Sequence, residues 1–193
     1  MKNLLKATDN QLVHAFQNGN NKALEILLIR HKDKMFSAIL FLVKDKYLAE
    51  DLFQDAFIKI IETIRSNRYT EEGKFLSWAM RIAHNLCVDH FRKIKRAPGL
   101  QTSDDNGIFE LFNLTEEPSD IKIMQAESHK QLRLMLHQLP EEQREVIVLR
   151  HYADLSFKEI SEMTNCSINT SLGRMRYGLI NMRKLIAEKQ ISL

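Results

Sequence analysis

Between Ala49 and Arg96 the apolar residues return at steps of three and four, interrupted only by a short polar segment. That period belongs to a helix and excludes a strand, so this stretch must fold as two helices. They have opposite characters. In the first, Ala49 to Arg65, residues Leu52, Phe53, Ala56, Phe57, Ile60, Ile61 and Ile64 form a wide apolar stripe. Glu50, Asp51, Gln54, Asp55 and Glu62 fall on the other side, and Ile58 sits among them. An apolar residue within an acidic face is either an anchor for a protein partner or a stray side chain on a solvated surface.

The second helix, Gly73 to Arg96, can be wound at 100° per residue. Phe75, Ala79, Ile82, Ala83, Leu86 and Ile94 gather on a side read as core. Lys74, Trp78, Arg81, Asn85, Asp89, Arg92 and Arg96 line the other. An aromatic ring in a basic stripe suits capture of an unstacked base: cations hold the phosphates and stacking adds about 1–3 kcal/mol per base. The plainer reading lays Trp78 over the edge of the core.

The rest of the chain is also helical in pattern. Only six Gly and three Pro occur in 193 residues, which favours helices. A short helix from about Asn10 to Asn18 carries Leu12, Val13 and Phe16 and is stopped by Gly19. Asn21 can cap the next, Lys22 to about Val43, with Leu24, Leu27, Leu28, Met35, Ile39 and Leu42 at helical spacing. Pro98-Gly99 then breaks the chain. From Ala97 to Ile121 there is no Lys or Arg, and there are six acids: Asp104, Asp105, Glu110, Glu116, Glu117 and Asp120. The whole chain is at +3 and this segment at −6, so the remainder carries +9. A basic body with an acidic insert points to a polyanionic partner and a segment that avoids or imitates it.

Helices resume near Ile121. One runs from Ile123 to Gln138. Another starts at Leu139-Pro140 with Glu141 and Glu142 in its first turn and Val146, Ile147, Leu149 and Tyr152 as its core face. Ser156-Phe157-Lys158-Glu159 is a capping box. Its short helix reaches about Met163, and Thr164-Asn165-Cys166 makes a tight connection. Ser167 can then cap a last helix from Ile168 to about Glu188. Two capped helices joined by a three- or four-residue turn are the helix-turn-helix signature. In the last helix Leu172, Met175, Leu179, Met182 and Ile186 repeat as a packing stripe. Asn169, Thr170, Ser171, Arg174, Arg176 and Tyr177 are left for a DNA groove. Lys158 and Arg144 suit phosphates. Any helical hairpin with a polar face would share part of this pattern.

Taken in order, AEDLFQDAFIKI, FLSWAMRIAHNLCVDHFRK and LHQLPEEQREVIVLRHYADLSFKEISEMTNCSINTSLGRMR resemble characteristic segments of bacterial RNA polymerase sigma factors. The resemblance is to the sigma-70 family and its extracytoplasmic-function subfamily, and it covers about Leu12 to Ile186. It implies an all-α chain of two small helical domains, sigma domain 2 at 10–96 and sigma domain 4 at 123–190, joined by a flexible acidic linker at 97–122. It also implies a transcription initiation factor with core RNA polymerase, promoter DNA and an anti-sigma factor as partners. On this reading Asp51, Gln54, Asp55 and Ile58 dock on the clamp helices of the largest core subunit. Lys74, Trp78, Arg81, Asn85 and Arg92 act at the −10 element, and Asn67 and Arg68, in the loop from Ser66 to Glu72, hold a flipped-out base. The −35 reader matches Ser167 to Tyr177. The linker would thread toward the RNA exit path and the active-site cleft. The chain departs from the family at Ser171-Leu172-Gly173, where the common form has Val-Lys-Ser before the matching Arg. Gly173 either costs the helix about 1 kcal/mol against Ala or permits close approach to DNA.

Two other classes are weaker. No glycine-rich phosphate loop or nucleophile motif suggests an enzyme, and no cofactor is expected. His84, Cys87 and His90 are spaced like ligands, but on a helix His84 and His90 point about 120° apart, so no metal is expected there. Asp89 near Arg92 reads as a helix salt bridge. A helix-turn-helix regulator acting without core polymerase would leave the Ala49–Arg96 surfaces without a purpose. No run of about 20 apolar residues offers a membrane span. MKNLLKATDN is too polar and short for a secretory signal, and two distant cysteines fit a reducing cytoplasm.

Overall fold

Helix ends carry much of the positional information in this chain. The computed structural model describes residues 4–70, 73–96, 131–132 and 134–188. Helix α1 (Asp9–Gln17) is started by Thr8, whose hydroxyl accepts from the Gln11 amide at 3.3 Å while the Gln11 side chain accepts from the Thr8 amide at 3.0 Å. This capping box lies just ahead of the expected start at Asn10. Gly19, at φ +91°, stops the helix. Its amide donates to Phe16 O at 2.9 Å and the Asn20 amide to Ala15 O at 2.9 Å. That pair of bonds is a Schellman stop, which needs a left-handed residue that glycine supplies without strain.

The same device recurs. Helix α3 (Lys46–Arg65) ends with Asn67 at φ +53°, Asn67 N donating to Ile64 O and Arg68 N to Thr63 O, both at 3.1 Å. Asn tolerates this conformation better than most residues. Helix α2 (Asn21–Val43) is capped by Asn20, whose side chain accepts from the Lys22 amide at 3.1 Å, one residue before the expected cap. Helix α3 starts three residues ahead of Ala49. Helix α4 spans Phe75–Arg96.

The chain divides into two compact units: Met1–Ile39 with Tyr47–Leu100 and Tyr152–Asp154, and Leu40–Lys46 with Gln101–His151 and Leu155–Leu193. In the first, Leu12, Val13, Phe16, Leu27, Met35, Leu52, Ile60, Ile64, Phe75 and Met80 are buried. The α1 and α2 helices are tied by Asp9, which accepts from Arg30 at 2.6 Å and meets His31 Nε2 at 2.8 Å. Burial pushes the Asp9 carboxyl up, but His31 and then Arg30 outweigh it and hold it below its ordinary value.

The buried side of α4 differs from the expected one. Ser77, Met80, His84 and Cys87 are buried, whereas Ile82, Leu86 and Ile94 are only half-buried. The core face is therefore turned by roughly 70° and stands opposite the basic stripe. Cys behaves as a small apolar residue when packed, and the His84 ring is taken in beside it. Burial pushes the Cys87 thiol up to about 12.

In the second unit, residues 134–138 are helical, followed by α5 (Glu141–Tyr152), α6 (Phe157–Met163) and α7 (Ile168–Glu188). Met135, Leu139, Val146, Val148, Leu149, Leu155 and Ile160 are buried. The expected packing stripe on α7 is corrected here. Leu172 and Leu179 are 44% and 42% exposed, and Ser171 and Gly178 are the buried residues. Small side chains let α7 come close to α5: a Cβ on Gly178 would lie 2.8 Å from Ile147 Cδ1 and 3.4 Å from Gln143 Cβ. Asn181 seals the contact by donating to Gln143 Oε1 at 2.8 Å.

These two glycines predict opposite outcomes. Gly178→Val places branched carbons against Ile147 and Gln143 and should lower stability by about 1–3 kcal/mol. Gly173→Ala, where an added Cβ meets nothing within 4 Å, should raise it by about 0.5–1 kcal/mol. Urea midpoints of the two variants check both signs.

Candidate nucleic-acid and protein interfaces

The polar face of α3 is open along its length. Asp51, Gln54 and Asp55 are exposed, and Ile58 is 54% exposed between them. Tyr47, 78% exposed, joins the same face. It precedes Ile58 by eleven residues, three turns and about 16 Å along the axis. The sequence reading missed it because its helix began at Ala49. Two apolar side chains thus bracket a patch of acids, an arrangement suited to a protein partner with basic groups around apolar pockets.

The second surface joins α4 to the loop after α3. Tyr69 is buried and its ring lies on Trp78, with centroids 4.2 Å apart and planes at 38°. Phe75 completes the cluster, 5.8 Å from Trp78 and 6.2 Å from Tyr69. His31 in turn rests against Phe75 at 5.4 Å. Trp78 is half-buried, lying against Tyr69 and Phe75 at the edge of the core. Asn67 and Arg68 are exposed, and Arg68 Nε donates to Ser66 Oγ at 2.8 Å. Lys74, Asn85 and Arg92 are exposed and Arg81 is half-buried on the same stripe. Arg92 pairs with Asp89 at 3.5 Å, the expected helix pair. Glu71 and Glu72 lie outside the described residues, as does the acidic segment.

The third surface is the helix-turn-helix. The capping box forms: Ser156 N donates to Glu159 Oε2 at 2.8 Å and Glu159 N to Ser156 Oγ at 3.2 Å. Asn165, at φ +51°, makes the left-handed stop after α6, and Cys166 N donates to Ser161 O at 3.0 Å. Ser167 Oγ accepts from the Thr170 amide at 3.0 Å and so caps α7. Lys158, Ser167, Asn169, Thr170, Arg176 and Tyr177 are exposed, and Arg174 is half-buried.

Two expected DNA contacts are withdrawn. Ser171 is fully buried, its Oγ 3.2 Å from Cys166 Sγ, so it packs α7 and faces no groove. Arg144 is 5% exposed and donates to Leu139 O at 3.1 Å, which makes it a clasp at the start of α5. Conversely, Ile168 and Leu172 are exposed at the front of α7. Leu172 is one of the residues expected in the packing stripe.

Family models match in the same two places: Sigma-70 region 2 over residues 27–97 and Sigma-70 region 4 over 129–171. The chain is 30% identical to the extracytoplasmic-function (ECF) RNA polymerase sigma-E factor of Escherichia coli K12, over 87% of this chain and 88% of that protein. The chain belongs to the sigma-70 family. Within it, relatives named as extracytoplasmic-function sigma factors, that of Escherichia coli among them, place this sigma factor in that class. It is 27% identical to the RNA polymerase sigma-H factor of Pseudomonas aeruginosa, over 89% of this chain and 90% of that one. In fold it is similar to the sigma factor RpoE crystallised with the anti-sigma factor NepR from Bartonella quintana. That likeness has a TM-score of 0.61 at 18% identity, covering 86% of this chain and 98% of that one. The chain is accordingly a transcription initiation factor that binds core RNA polymerase and directs it to promoters. No helix among the described residues is long and apolar enough to cross a membrane.

The two thiols of this sigma factor differ. Slight burial pushes Cys166 up, but hydrogen bonds with Ser171 and Thr164 and the charge of Arg174 outweigh it and lower the value. With Cys87 at about 12, only about one Cys87 in ten thousand is thiolate at pH 8. Iodoacetamide at pH 8 should therefore modify Cys166 and spare Cys87, as peptide mass mapping would register. Equal labelling in native protein would contradict the buried face assigned to α4.

Proposed function

We propose that this sigma factor divides its work among the three surfaces. The α3 face, with Asp51, Gln54, Asp55 and Ile58, grips the core enzyme. The loop carrying Asn67 and Arg68, together with Lys74, Trp78, Arg81, Asn85 and Arg92, captures and opens the −10 element. The front of α7, with Asn169, Thr170, Arg174, Arg176 and Tyr177, reads the −35 element, while Lys158 holds a phosphate and Ser167 acts as cap. Domain 2 corresponds to 10–96 and domain 4 to 123–190, with the acidic segment 97–122 connecting them through the polymerase.

The observation that carries this reading is the Tyr69–Trp78–Phe75 cluster beside a basic stripe. A base leaving the duplex finds a ring to stack on and cations for its phosphates. A regulator acting without core polymerase needs neither this surface nor the acidic face of α3. Catalysis belongs to the polymerase, and this chain works as a cytoplasmic subunit without a cofactor. An anti-sigma factor is its expected regulator. The solved structures of NepR with RpoE and of CnrY with CnrH support that partner class.

Trp78→Ala should slow promoter opening by an order of magnitude or so while changing closed-complex affinity less than threefold, since stacking acts only on the unpaired base. Permanganate reactivity of −10 thymines, followed in time with reconstituted holoenzyme, measures the first. Gel shift at low temperature measures the second. Unchanged thymine reactivity would make Trp78 a core-edge residue only.

A further inference from the structure

The front of α7 has one feature that a hydrogen-bonding reader does not need. Asn169, Leu172 and Arg176 stand at i, i+3 and i+7, within about 60° of one another around the helix, and all three are exposed. They cover about 10 Å of helix axis, or about three base pairs at 3.4 Å each. The flanking members are hydrogen-bonding side chains: Asn pairs with adenine and Arg with guanine. The central one is leucine, 44% exposed. Gly173 lies beside it on the same side, and a Cβ there would meet nothing within 4 Å. The fully buried positions of the helix are Ser171 and Gly178, about 100–120° around the helix from Leu172.

Building on the assignment of α7 to the −35 element, we infer that Leu172 is a specificity-determining residue that reads a 5-methyl pyrimidine. An isobutyl side chain has no donor or acceptor to offer a base edge. The apolar group in the major groove is the C5-methyl of thymine. Burying that methyl against Leu172 removes both from water, and glycine at the next position lets the helix backbone approach the bases. The charge of the helix favours DNA as the occupant over an apolar protein helix: Arg176 belongs to the patch itself, and from Ile168 to Ala187 α7 carries Arg174, Arg176, Arg183 and Lys184 and no carboxylate. The result is a three-part reader in which an apolar slot for thymine lies between two hydrogen-bonding positions.

The test uses holoenzyme reconstituted from the full chain and core polymerase. A library randomised in the −35 element is selected first. If no sequence is enriched, the assignment of α7 to the −35 element fails, independently of Leu172. If one is enriched, each thymine in it is replaced in turn by deoxyuridine, which deletes only the methyl. At one position this should weaken binding about fourfold, the factor that one buried methyl-sized group is worth. At the same position 5-methylcytosine should bind better than cytosine when each is paired with guanine. The deoxyuridine effect should vanish in Leu172→Ala, a substitution that keeps a good helix former at an exposed site. It should vanish also in Leu172→Lys. An enriched element without thymine would overturn the inference. So would deoxyuridine neutral at every position, or a methyl effect that persists in Leu172→Ala. A Leu172→Ala loss confined to core binding, with the methyl effect intact, would overturn it in favour of a protein contact.

Discussion

The stacking of Tyr69 on Trp78 holds together the surface proposed for the −10 element. The ring of Tyr69 is buried, so the loop after α3 has one fixed point. On its N-terminal side the loop is fixed again, by the Schellman stop at Asn67. Between these points Arg68 has little freedom and is held further by Ser66. A stretch fixed at Asn67 and at Tyr69 presents the side chain between them with little entropy left to lose on binding. The same contact binds the loop to α4, so the Trp78 ring and the described part of the loop are held together.

Electrostatics divides the first unit into two faces that do not compete. The acids of α3 face away from its apolar stripe, and the cations of α4 stand opposite a core face built from Phe75, Ala79, Met80, Ala83, His84 and Cys87. An acidic face repels phosphates and a basic stripe attracts them, so the two surfaces suit different partners. The Asp9–Arg30–His31 tie is a structural member of this unit, linking α1 to α2, with His31 passing that support to Phe75. The aromatic cluster thus rests on three helices of the unit.

Periodicity and capping chemistry made the fold legible. The boundaries at Gly19, Ser156 and Ser167 follow from residues whose backbone roles are nearly fixed by their side chains. The exposed acids and Ile58 on α3 were equally plain, because a wide apolar stripe leaves only one other side. What escaped was packing by residues whose polarity misleads. Ser171, Gly178, His84 and Arg144 are all buried, yet none would be chosen as core by hydropathy. Close helix approach selects for small volume, and a stripe of large apolar residues was mistaken for the packed side of α7. The error at Leu172 and Leu179 followed directly. Tyr47 was lost for a simpler reason, a helix start placed three residues late.

In the division of work proposed above, the loop and α4 open DNA as one body because Tyr69 joins them. The most direct measurement is the rate of opening of a promoter carrying 2-aminopurine in its −10 element, with holoenzymes formed from the wild-type chain, Tyr69→Phe and Tyr69→Ala at equal core occupancy. The account predicts that Tyr69→Phe opens DNA at close to the wild-type rate and that Tyr69→Ala loses most of it. Wild-type opening by Tyr69→Ala would contradict the account.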